Sequence, residues 1–67
     1  IMSVKFPEVS VTLVGTDSSA LAVVGAVIRA LRRAGVSPRA IDDYQAEALS
    51  GDYDHLLQVT LQTVDVE

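Results

Sequence analysis

Ser50-Gly51-Asp52-Tyr53-Asp54-His55-Leu56-Leu57 gathers the only histidine of the chain, one of its two tyrosines and two carboxylates. A histidine titrates near neutrality, and a carboxylate beside it can orient the ring for proton transfer. The same residue types can also ligate a metal. The spacing argues against both. On a helix, residues 54 and 55 diverge by about 100° and do not face one target. A metal site wants three or four convergent ligands, and there is no second histidine. A structural role accounts for every polar residue instead. Asp52 caps a helix, Asp54 sits at the helix's positive end, and His55 lies at the third position, partly packed or exposed. No catalytic, metal-binding or cofactor-binding residue is therefore assigned, and the chain is expected not to be an enzyme.

Two other stretches invite a chemical reading. Gly15-Thr16-Asp17-Ser18-Ser19 lies between a strand pattern and a helix pattern, where backbone amides can cradle phosphate. It lacks the lysine and glycine spacing of a P-loop, and Asp17 would repel an anion. A capped turn is the expectation there. Arg29, Arg32, Arg33 and Arg39 raise nucleic-acid binding. A strand, a helix, a Gly-x-Ser turn and a second helix have the outline of a ribbon-helix-helix repressor. Ser10 and Thr12 would then be the outward residues reading the groove. Against this stand Asp42, Asp43 and Glu47 on the second helix and a first helix that is long for that fold. Solvated arginines complementing a helix dipole are the simpler account.

The elements that would position these residues are legible in outline. Val4-Lys5-Phe6 and Val9 to Val14 alternate apolar and polar, the period of half-buried strands. Phe6, Val9, Val11 and Leu13 form the expected inward set. Pro7-Glu8 separates the runs, and a hairpin over about 3–6 and 9–14 is preferred to one bent strand. A first helix is expected over about 17–34, capped by Thr16 or Asp17. Leu21, Val24, Ile28 and Leu31 make its apolar face, widened by Val23 and Val27. Ala22, Gly25 and Ala26 are small enough to admit another backbone. Gly35 ends this helix, Ser37 caps the next and Pro38 takes its first position. That second helix, about 38–50, has a thin apolar face of Ile41, Tyr44, Ala48 and Leu49, and Gly51 closes it. Its pair Arg39–Asp43 helps slightly and Asp43–Glu47 opposes. The last segment, about 52–63, reads as a helix with Leu57, Leu61 and Val64 on one face and Leu56 beside them. It also reads as a strand alternating Leu57, Val59 and Leu61.

Sixty-seven residues make one domain, α+β in class, with a β-hairpin packed on three helices. So short a chain buries only about 60% of its unfolded surface. No cysteine is present to staple it, which leaves oligomerisation as the aid. The composition is 49% hydrophobic and 21% charged, a globular balance. The net charge of −4 repels polyphosphate backbones, so nucleic acid is not an expected partner. The longest apolar run, Ala20 to Ile28, spans nine residues against the roughly 20 a bilayer needs, so no membrane role is expected. Ile1 ahead of Met2 reads as a remnant of cloning, with the natural start at Met2.

Gly51-Asp52-Tyr53-Asp54-His55-Leu56-Leu57, following Arg32-Arg33-Ala34-Gly35-Val36, resembles a family of small uncharacterised proteins. Actinobacterial phages, prophages and related mobile elements encode them. The resemblance runs from about Val4 to Val66, and the Asp-Tyr-Asp-His-Leu-Leu string is its most specific part. Related sequences follow that string with stronger helix formers and a tryptophan, where this chain has Gln58-Val59-Thr60-Leu61-Gln62-Thr63. The resemblance carries no activity. It implies a phage or mobile-element protein acting in the cytoplasm of a host cell.

These observations lead to a non-enzymatic protein working by protein–protein interaction or self-association, without a cofactor. Its partner is expected to be a host or phage protein, or a second copy in a homodimer. The candidate contact residues are Tyr44, Tyr53, His55, Leu56, Arg29, Arg32 and Arg33. The alternative is a ribbon-helix-helix-like DNA-binding dimer.

Overall fold

The computed structural model describes residues 3–13 and 19–67. The element order is β1 (Phe6–Val11), α1 (Ala20–Arg33), α2 (Pro38–Ala48), α3 (Tyr53–Thr63) and β2 (Val64–Val66). The class is α+β, with an N-terminal strand and three helices as expected. The hairpin is not formed. One strand runs through Pro7, and its partner is β2 from the far end of the chain, in parallel. Pro7-Glu8 lacks the residues that tolerate a two-residue reversal, so the chain continues straight. Phe6 pairs with Val64 and the next pairing is Ser10 with Asp65, so the ladder is irregular across Pro7, which has no amide hydrogen to give. That irregularity also resolves a phase conflict. Phe6 and Val9 are three apart, yet both pack on the core, as do Val11 and Leu13.

Helix α1 starts later than the sequence suggests. Its cap is Ser19, whose hydroxyl accepts from the Ala22 amide at 3.3 Å. Thr16 and Asp17, the expected caps, lie outside the described residues, as does most of the loop weighed for phosphate. The buried face is Val23, Val24, Val27, Ala30 and Leu31, with Ile28 half-buried. Leu21 is 77% exposed and not part of it. At 100° per residue Leu21 lies about 120° from the centre of that face. Gly35 ends the helix with φ +81°, and the Gly35 and Val36 amides donate to the Arg32 and Leu31 carbonyls. This is the paired closure of a Schellman turn.

Ser37 caps α2 by accepting from the Ala40 amide at 3.2 Å, and Pro38 begins it. Ile41, Tyr44 and Ala48 are buried, while Leu49, past the helix end, is exposed. Both readings of the last segment are partly met. It is helical to Thr63 and turns extended at Val64 with no loop between. The β-branched Thr60 and Thr63 fit the helix because their hydroxyls are satisfied, on Tyr44 and on the Val59 carbonyl at 2.7 Å. The face α3 buries is Leu56, Val59, Thr60 and Thr63. Leu61 is on the outside, contrary to the expected 57–61–64 face.

Candidate functional site

The Asp52–Leu57 string forms the junction of α2 and α3. Asp52 accepts from the His55 amide at 2.9 Å, the expected N-cap. Asp54 occupies the first turn, where the helix dipole favours a carboxylate. The His55 ring turns back onto the end of α2. Its Nε2 lies 2.9 Å from the Glu47 carbonyl oxygen, 3.0 Å from Glu47 Oε2 and 3.3 Å from Ser50 Oγ. Both Glu47 atoms are acceptors, so the proton resides on Nε2 and the ring donates. The Glu47 carbonyl lies in the last turn of α2 and also accepts from the Ser50 amide at 3.2 Å, so the ring reinforces the helix end. Ser50 Oγ donates to that same carbonyl at 2.7 Å.

Serine, histidine and a carboxylate thus stand together, which invites comparison with a nucleophilic triad. The connectivity is wrong for it. In a triad the serine faces one ring nitrogen and the acid the other, so that the first can take the serine proton. Here serine and carboxylate both approach Nε2, which is occupied by its own hydrogen. The serine proton is spent on the Glu47 carbonyl. No metal-binding group of three His, Cys, Asp or Glu side chains forms among the described residues. What the cluster does is clamp one helix end to the next. Gly51 makes the clamp possible, because a Cβ there would stand 2.9 Å from the His55 Cβ, Cγ and Cδ2 atoms. Glu47 and Ser50 are the partners that sequence reasoning missed. Their signal was faint: residues ahead of a glycine that lies four before a histidine.

His55, one of the candidate contact residues, is thus engaged by Glu47, and the other six separate into three groups. Tyr44 and Leu56 are core residues, 4% and 2% exposed. Neither can serve as an anchor for a partner, which corrects that expectation. The Tyr44 hydroxyl shares a 2.8 Å hydrogen bond with Thr60 Oγ1 beneath α3. Burial pushes the Tyr44 hydroxyl above its ordinary value of 10.0, and the Thr60 bond opposes part of that. Tyr44 also floors a cleft of about 530 Å³ between the N-terminal strand, α2 and α3, with Lys5, Asp43 and Glu47 among its lining. Of its two carboxylates, Glu47 is already engaged by His55.

Tyr53 belongs to the second group and remains outward at 41% exposure. With half-exposed Leu61 and with Leu57, which is half-buried and packed partly against the core, it makes an i, i+4, i+8 apolar stripe on the flank of α3. The third group is Arg29, Arg32 and Arg33, all exposed on α1. Arg29 and Arg33 line a groove of about 340 Å³ with Ser10 of β1 and Thr12 just after it, while Arg32 does not. Among the described residues, a Cβ at Gly25 would meet only the Arg29 guanidinium, at 3.5 Å, which is ordinary contact.

Comparison with family models, curated proteins and solved structures finds no significant match to this chain. No helix among the described residues is long and apolar enough to cross a membrane.

Proposed function

We propose that the protein is a small non-enzymatic binding protein of phage or mobile-element type. It acts in the host cytoplasm by contacting a host or phage protein, or a second copy of itself. The observation that carries this reading is the apolar stripe Tyr53–Leu57–Leu61 on α3, with Leu61 half exposed. Scattered surface leucines need no explanation, but three apolar side chains in helical register offer a contiguous contact face. Helix-in-groove recognition uses this spacing of anchors. The phage context rests on the resemblance of the Asp-Tyr-Asp-His-Leu-Leu string. The test is photo-crosslinking in host cells with benzoylphenylalanine at position 61, against position 45 on the exposed side of α2 as control. A discrete product from 61 and none from 45 is expected. Equal products from both, or none from 61, would remove the reading.

The DNA-binding alternative has one observation in its favour, exposed Ser10 and Thr12 beside Arg29 and Arg33. It requires that Arg-to-Ala changes at 29, 32 and 33 weaken DNA binding and flatten its salt slope. Absence of a gel shift at low salt would remove it.

A further inference from the structure

The groove between β1 and α1 combines three properties. First, β1 is an edge strand in a two-stranded sheet. The Val11 carbonyl accepts from the Glu67 amide on the β2 side, so the backbone groups of Ser10 point the other way, with Thr12 following directly after the strand. No described strand pairs there, and such an edge is a template for an added strand. Second, the opposite wall is built from Ala26 and Ala30, short side chains that leave room beside the strand. Third, the charged residues lining the groove are Arg29 and Arg33, with no acid among them. Neither forms a salt bridge among the described residues, in a chain whose net charge is −4.

We infer that this groove binds an extended acidic peptide segment of a partner protein, added as a strand to the open edge of β1. Main-chain hydrogen bonds to Ser10 and Thr12 would hold it. Every second side chain would face α1, with small residues over Ala26 and Ala30 and carboxylates reaching Arg29 and Arg33. A second copy of β1 is a poorer occupant, because a two-fold pairing brings the arginines of both copies together. Duplex DNA is also poorer, because two arginines beside one groove of an acidic molecule do not make a broad basic face. This site is distinct from the α3 stripe and goes beyond the function proposed for it.

The test is fluorescence anisotropy on the full chain with a short labelled peptide of alternating threonine and aspartate. Lysine-for-aspartate and N-methylated versions serve as controls, with a short DNA duplex in parallel. The aspartate peptide binds and the lysine peptide does not. Arg29→Gln with Arg33→Gln weakens binding by about tenfold or more, with the circular dichroism spectrum unchanged. N-methylation of one alternate set of amides abolishes binding and of the other set does not, since only alternate amides face β1. Tyr53→Glu with Leu61→Lys leaves the affinity unchanged, which separates this site from the α3 stripe. The inference is overturned by any of four results: no binding at millimolar protein, equal effects of both methylation sets, indifference to the arginine changes, or arginine-dependent binding of the duplex alone.

Discussion

At Gly51 an added Cβ would stand 2.9 Å from three atoms of His55, although the backbone there is not left-handed. Gly51→Ala therefore sets two effects against each other. Reduced freedom of the unfolded chain favours the variant by about 0.4–1 kcal/mol. The clash costs about 1–3 kcal/mol, since the His55 Cβ is tied to the helix backbone and cannot swing away. Net destabilisation is expected in urea unfolding. It should shrink in a His55→Ala background, where the ring atoms are gone and only the Cβ contact remains. Equal penalties in both backgrounds would show that the ring does not occupy that space. Tyr44 supplies a second residue-scale prediction. Its raised value means that the unfolded chain gives up this proton at lower pH than the folded one. The stability tied to it is complete below 10.0 and is lost as pH rises from there through the folded value. Tyr44→Phe removes this alkaline loss but costs roughly 1 kcal/mol at neutral pH, because Thr60 Oγ1 loses its buried partner. Melting curves across alkaline pH for both proteins check the sign.

The elements were unequally legible, and the reasons are local. Ser37-Pro38, Gly35 and Asp52 are capping signals that act through neighbouring backbone groups, so sequence read them correctly. Gly35→Ala should accordingly cost about 1 kcal/mol, since φ +81° disfavours any Cβ, and a thermal scan would register it. The partner of β1 was not legible. It is set by where α3 delivers Val64, more than fifty residues downstream, and no local signal encodes that. Which face of α3 is buried was missed for a related reason. Thr60 and Thr63 look like surface residues until Tyr44 and the Val59 carbonyl satisfy them, while Leu61 looks like core. The candidate site split the same way: the Asp52 cap was readable, whereas the Glu47 and Ser50 contacts of His55 depend on how α2 meets α3. The sheet yields its own prediction. Val64 is 1% exposed and anchors both α3 and β1, so truncation after Thr63 should abolish cooperative unfolding by circular dichroism. Persistence of a sigmoidal transition would mean that the parallel pairing is dispensable.

At the scale of the whole molecule, thirteen buried hydrophobic residues among those described form one core that joins the inward faces of both strands and all three helices. So small a core leaves little stability in reserve. The polar cluster at the α2–α3 junction is consumed in holding helices together, which shifts functional interest to the outer faces. The most direct measurement is affinity capture from host lysate with quantitative mass spectrometry, paired with light scattering, on wild type and on Tyr53→Glu with Leu61→Lys. Both changes suit their ends of the helix dipole, so the fold should survive. The account predicts that wild type holds a partner, or forms a dimer, and that the double variant loses it while keeping its helical spectrum. Identical captured sets and identical masses for the two proteins would contradict it.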